Sequence, residues 1–256
     1  CGNDNSGKLI VGFSPDYAPY EFVDLTKTGN DQYVGADIEL AKFIANELGL
    51  ELVLEPSGFN QCLINLQAGK IDLAISGFTY KEDRAKTFEM STVYFDDGEG
   101  DQVVITTKAN QAKYGSLSAV NANGVIVGAQ AGSVQYDLAS TQLPNATVEQ
   151  HVNISDMVTY LETGKLHAIA LSQTAAEALI STNSNIVILD GKFEIEDSGL
   201  YVIAKKGNTE LMNKVNEAIN KVQADNLYKT WMDQAAILFE SLGDNAGQPD
   251  LSTDEE

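Results

Sequence analysis

Residues 66–84 read Leu66-Gln67-Ala68-Gly69-Lys70-Ile71-Asp72-Leu73-Ala74-Ile75-Ser76-Gly77-Phe78-Thr79-Tyr80-Lys81-Glu82-Asp83-Arg84. The stretch closes an amphipathic helix at Gly69, turns at Gly69-Lys70, and runs through an almost wholly apolar segment, 71–75. It then breaks into a polar turn that opens another helix. An apolar run this short and continuous predicts a strand buried on both faces, as in a parallel sheet between helices. A second stretch, Leu161-Glu162-Thr163-Gly164-Lys165-Leu166, repeats the helix end, the Gly-Lys turn and the strand entry. Such a repeat implies two similar α/β lobes. His167 stands where the first copy has Asp72, so it reads as a strand-entry residue and not as a ligand.

Working outward, the same alternation continues on both sides. Strands are predicted at 8–13 and 50–54, and helices at 37–48 and 61–68, with Gly49 and Gly69 as stop signals. Further on, strands are predicted at 125–129, 147–151, 167–171 and 186–189, and helices at 134–140, 157–163 and 173–180. Strands alternating with helices imply βαβ units. Two more strands, at 102–107 and 200–204, link the halves and form a hinge. The last helices, 210–223 and 227–232, return to the first half. The expected fold is α/β and two-lobed, each lobe a mainly parallel sheet flanked by helices. Lobe 1 is expected over 8–103 and 199–240, and lobe 2 over 104–198. A cleft between two such lobes is a favoured place for a small ligand.

The 256 residues carry 16 Lys plus Arg against 37 Asp plus Glu, a formal charge of −21. A chain this acidic lacks the basic footprint that neutralises phosphates, which excludes nucleic acid as a partner. No apolar run is long enough to span a bilayer. Of the two cysteines, Cys62 falls on an apolar helix face and reads as a small buried hydrophobe. Residues 1–7 are small and polar, a tether. Residues 241–256 are polar and acidic, and read as a disordered tail.

Chemistry is expected at two strand–turn–helix junctions. In the first, Gly77 lets a ligand approach the backbone, and Ser76 and Thr79 offer hydroxyls. Arg84, the only arginine in the chain, has the fork geometry for two parallel hydrogen bonds to a carboxylate. In the second, Gln130-Ala131-Gly132-Ser133-Val134 exposes N–H groups at the start of a helix. The two junctions would clamp one carboxylate from both sides of a cleft. Aromatic residues gather in the loop Ser14-Pro15-Asp16-Tyr17-Ala18-Pro19-Tyr20, with Phe59 and Phe78 elsewhere in the first lobe.

At these residues the chain resembles the polar amino-acid-binding proteins of bacterial ABC importers, the family-3 solute-binding proteins. The matching pieces are VGFSPDYAPYEF from Val11, YVGADIELAKFIANELGL from Tyr33, LQAGKIDLAISGFTYKEDRAKTF from Leu66, VGAQAGSVQ from Val127 and VIAKKGN from Val202. The Ser-Gly-x-Thr-(x)4-Arg element is the most specific of them. The resemblance implies two lobes that close on the ligand, no enzymatic activity, no cofactor or metal, and a permease partner. It implies that Arg84, Thr79, the Gly77 backbone and Ser133 hold the ligand α-carboxylate. Tyr17 and Phe59 would sandwich the side chain, and Ser76 would meet the ammonium group. Gln130, Gly132, Val134 and Phe78 complete the expected lining.

Two departures stand out: Ser14 and Ser172 occupy positions where many relatives carry acids. Asp16, Glu99 or Asp101 are the candidate substitutes for the acid that pairs with the ammonium. Without those acids the case for a basic ligand such as arginine weakens, and the expected ligand is a polar or neutral amino acid. The loop Asp96-Asp97-Gly98-Glu99-Gly100-Asp101 lacks a calcium-loop pattern. An alternative is a periplasmic dehydratase acting on prephenate or arogenate, which shares the fold and needs a general acid in the cleft. The start at Cys1 resembles a mature bacterial lipoprotein, which implies a lipid anchor on the outer face of the cytoplasmic membrane. A monomer is expected.

Overall fold

The structure, a computed structural model, describes residues 7–96 and 100–247. Cys1, the greater part of the tether, Glu99 and residues 248–256 therefore lie outside the described residues.

Two five-stranded sheets form the framework. In the first, the strands run in the order Glu51–Pro56, Lys8–Phe13, Leu73–Ala74, Ile203–Lys205, Phe88–Met90. In the second, the order is Ile186–Ile188, Gln102–Thr107, Ala168–Ser172, Ile126–Gln130, Thr147–His151. Each sheet is mixed. Three strands of each run parallel. The strands entering from the hinge, Gln102–Thr107 and Ile203–Lys205, run antiparallel to their neighbours. A chain that crosses from the other lobe enters the sheet from the end where the parallel strands finish, so its direction is reversed.

The internal repeat survives in atomic detail. Asp72 Oδ2 accepts the Ile10 backbone N–H at 2.9 Å, and His167 Nδ1 accepts the Ile126 N–H at 2.8 Å. Both side chains thus tie a strand entry to the parallel strand beside it. Two residues along, each of those strands has a glycine against which the residue after Gly-Lys packs. A Cβ on Gly12 would lie 2.4 Å from Ile71 Cδ1, and one on Gly128 would lie 2.6 Å from Leu166 Cδ1. Neither position has room for a side chain.

Helices cover both faces of each sheet. Ala36–Leu48 presents Leu40, Ala41 and Ile44 to the first sheet, and Thr209–Ala224 adds Met212, Val215, Ile219 and Val222. The second lobe has its own cores, around Val104, Val127 and Ala170 on one face and Ile105, Met157 and Ile169 on the other. Cys62 packs in a third cluster of the first lobe with Leu66, Phe59 and Phe78. Burial pushes its thiol up to about 12, so it is not a nucleophile at neutral pH.

The two crossings lie side by side. Leu200 bridges to Phe95 and Thr79, and Gln102 bridges to Phe193. The ladder with Ala168–Ser172 takes in Gln102 and Val103, which the expected boundary at 103 leaves with lobe 1. The C-terminal region also differs from expectation. The last helix is Leu227–Leu242, ten residues longer at its C-terminal end than 227–232. Its second half buries Ala235 and packs Leu238, Phe239 and Leu242 against Phe22 and Val34. Beyond it, as far as Gly247, the chain lies against the first lobe. Leu25 N donates to Asn245 O at 2.9 Å, and Ala246–Gly247 pairs antiparallel with Phe22–Asp24. Backbone pairing of this kind needs no apolar period, which is why composition misses it.

Candidate functional site

Arg84 sits on the short helix Glu82–Thr87 and is 4 % exposed. Its guanidinium donates to the Thr79 carbonyl in its own lobe and, at 3.1 Å, to the Gly132 carbonyl in the other. The guanidinium carbon lies 5.0 Å from the Phe78 ring centroid and 5.9 Å from that of Phe59. Those rings stack on each other at 4.4 Å, so they form an apolar floor with a negative π face toward the cation. Desolvation pulls Arg84 down to about 10, with Asp83 and Asp137 opposing. It remains a cation at neutral pH.

At the second junction Ser133 bonds within its own lobe, its N–H donating to Gln130 O at 3.2 Å. Ser133 caps the helix Val134–Gln142 by accepting from Tyr136 N at 3.2 Å. Gly132 has φ 77°, and a Cβ there would sit 2.8 Å from Asn60 Oδ1 of the first lobe. Only glycine serves at this close approach. Val134 begins the helix.

Tyr17 and Phe59 each stack on a ring other than the other's. Tyr17 lies over Tyr20 at 5.3 Å and 15°, and its ring also covers Gly77. The Tyr17 hydroxyl crosses the cleft, donating to Ser172 Oγ at 2.7 Å and accepting from Ser172 N at 3.0 Å. Ser172 caps Gln173–Thr182, so its hydroxyl is engaged on both sides. Gln135, which the sequence reading passed over, joins Tyr17 OH to Gln102 Oε1. The space left among Tyr17, Gly77, Thr79, Gln102, Gln135 and Ser172 is a small cavity of about 30 Å³. The lobes are closed.

Of the substitute acids, Asp101 faces solvent and pairs with Lys192 at 2.8 Å. Asp16 is in the cleft. It accepts from Ser14 Oγ at 2.8 Å in its own lobe. From the other lobe it accepts Gln130 Nε2 at 3.0 Å and Ile154 N, at the start of the helix Ile154–Glu162, at 3.1 Å. Burial outweighs these bonds and pushes its carboxyl up to about 6. Lys81 and Asp137 make a further cross-lobe contact at 2.6 Å.

Ser14 and Ser76 are joined beneath the turn, Ser14 N donating to Ser76 Oγ at 3.0 Å. The structure therefore gathers Ser14, Tyr17, Phe59, Ser76, Gly77, Phe78, Thr79 and Arg84 on one wall. Gln130, Gly132, Ser133 and Ser172 lie on the facing one. Arg84 is a buried cation that reaches both walls, and a cation so placed can grip a carboxylate.

Comparison with known proteins agrees. The chain is 30% identical over 246 residues to the arginine-binding extracellular protein ArtP of Bacillus subtilis (strain 168), covering 90% of this chain and 91% of that one. Among solved structures it superposes with a TM-score of 0.83, at 34% identity, on the amino-acid ABC transporter substrate-binding protein AbpA of Streptococcus pneumoniae Canada MDR_19A bound to L-arginine, covering 91% of this chain and 96% of that one. It also resembles an ancestral amino-acid-binding protein described as a precursor of cyclohexadienyl dehydratase, with a TM-score of 0.78 at 27% identity, covering 90% and 95%. All three are described as binding proteins. The family model matches residues 9–234, nearly every element described above, and the chain belongs to the bacterial extracellular solute-binding proteins, family 3.

Proposed function

We propose that this chain is the extracytoplasmic capture component of an ABC importer and takes a polar amino acid between its lobes. The observation that carries the reading is Arg84. It is the chain's only arginine, buried on a double aromatic floor at the seam of the lobes, and its guanidinium reaches both of them. A buried cation at such a seam favours an anion shared by the two walls, and a ligand that touches both drives closure. In this reading Arg84, Thr79 and Gly77 meet the α-carboxylate from one side and Ser133 meets it from the other. Tyr17 and Phe59 flank the ligand side chain, and Ser14, Ser76, Phe78, Gln130, Val134 and Ser172 line the remainder. A lipid anchor at Cys1, a permease partner and a monomeric state belong to the same proposal.

The test is a thermal-shift screen of the amino acids, with arginine, glutamine and cystine among them. At least one is expected to raise the melting temperature without turnover. Arg84→Ala is expected to abolish that rise; a full rise in the variant refutes the role given to Arg84. Formation of product from prephenate or arogenate would favour the dehydratase instead.

A further inference from the structure

Directly beneath the ligand turn lies a buried group of acids and hydroxyls that ligand capture leaves without a role. Glu21 is 0 % exposed. Its Oε1 accepts from Ser76 Oγ at 2.6 Å, and its Oε2 has no donor among the described residues. Asp37, in the first turn of Ala36–Leu48, is equally buried but fully supplied. It accepts Tyr228 OH at 2.6 Å, Tyr94 OH at 2.9 Å and the Gly77 N–H at 2.7 Å. The two buried acids hold consecutive residues of one turn, Glu21 at Ser76 and Asp37 at Gly77. Two ionised carboxylates buried at one site repel each other, which favours a proton on one of them.

Three donors to Asp37 mark it as the ionised member. The missing donor at Glu21 marks it as the one that carries the proton. We infer that Glu21 is a neutral carboxylic acid beside the ionised Asp37, and that this acid pair holds the Ser76–Gly77 turn in its ligand-binding position. Ser14 N–H donates to Ser76, Ser76 donates to Glu21, and Gly77 N–H donates to Asp37. Two consecutive residues of the turn are thereby fixed to one pair of buried acids. Glu21 is a positioning residue, and the role rests on the reading of the turn as the ligand site.

The surroundings favour the neutral form. Asp37 faces Glu21 from its helix and Asp16 from the loop, both acids. Tyr94 from the approach to the first crossing and Tyr228 from the last helix act on Asp37 as donors, and Tyr17, Tyr20 and Cys62 are the other titratable groups nearby. Burial first, then the charge of Asp37, hold Glu21 well above the usual carboxylate range. Burial and the Asp37 charge also push both phenols up, so they stay protonated and continue to donate.

The experiment combines infrared spectroscopy with binding. At about pH 8, where exposed carboxyls are ionised, the unaltered chain is expected to keep the carbonyl stretch of a protonated carboxylic acid, and Glu21→Gln to lack it. Glu21→Ala is expected to weaken amino-acid binding about tenfold or more. Glu21→Gln, whose neutral amide can still accept from Ser76, is expected to recover it to within about threefold. Absence of the acid band, or a Gln variant as weak as the Ala variant, overturns the inference. The second outcome would mean that a charge at Glu21 is needed. Should Glu21→Ala fail to fold, the band and the Gln variant still decide. If the unaltered chain binds no amino acid, the ligand reading falls and the positioning role with it, while the band still locates the proton.

Discussion

Asp16 makes closure sensitive to pH, and the direction follows from the geometry. In the closed form its carboxylate is half-buried between Ser14, Gln130 and Ile154. Two of those partners belong to the other lobe, so opening returns the carboxyl to water and to its ordinary value of 3.8. Closing raises it to about 6. The closed form therefore binds the proton more tightly, and acid favours closure. The gain is complete below the open-form value and is lost as pH rises through about 6. The difference of about two pKa units corresponds to roughly 3 kcal/mol at full titration. At about pH 5 the closed carboxyl is mostly protonated and the open one mostly ionised, so ligand should bind about tenfold more tightly there than at about pH 8. Isothermal titration calorimetry across that range measures the effect. Asp16→Asn removes the titrating group and is expected to flatten the profile, which separates Asp16 from the two histidines. If binding in the unaltered chain is flat, or weakens toward pH 5, the three hydrogen bonds outweigh desolvation and the reasoning is wrong.

Two further perturbations probe the seam and the C-terminal segment. Gly132→Ala forces an L-residue into φ 77° and drives a Cβ to 2.8 Å from Asn60 Oδ1. Strain at such a position costs about 1–3 kcal/mol, so calorimetry should show ligand affinity reduced by about tenfold or more, and an unchanged Kd would place the lobes farther apart than described. Truncation after Leu242 removes the Ala246–Gly247 ladder and the Leu25–Asn245 bond. Loss of about 1 kcal/mol in a chain of this size lowers the melting temperature by about 2–4 °C, and a scanning calorimeter reading no change would show that the segment does not hold the lobe.

The framework was legible in sequence because it is written in apolar period and punctuation. The Gly69-Lys70 and Gly164-Lys165 turns mark equivalent helix ends, and Asp72 and His167 do the same work one residue before the strand. The clamp was legible for a related reason: a single arginine after a buried strand and a glycine turn leaves few alternatives. What escaped depends on tertiary contact. The Tyr17–Ser172 bond joins residues from different lobes, and no local pattern announces it. Gln102 and Gln135 meet only when the lobes close. Glu21 was open to detection, since a carboxylate among Pro19, Tyr20, Phe22 and Val23 is an acid in an apolar run. Asp37, two residues after Gly35, looked instead like an ordinary helix-start acid, and only the fold shows that Tyr94 and Tyr228 surround it.

The sheet order sets the sequence of events in folding. All five strands of the second lobe come from one unbroken piece of chain between Gln102 and Ile188, so that lobe can assemble from nearby contacts. The first lobe cannot. Ile203–Lys205 lies between Leu73–Ala74 and Phe88–Met90, and the two long C-terminal helices cover the sheet that it completes. Its N-terminal strands must wait, with edges unpaired, until the last third of the chain arrives. Such long-range closure is slow and leaves strand edges open to wrong partners. Damage near the C-terminus should therefore show first as failure of the N-terminal sheet to form, and the lobe that carries Arg84 is the later of the two to mature.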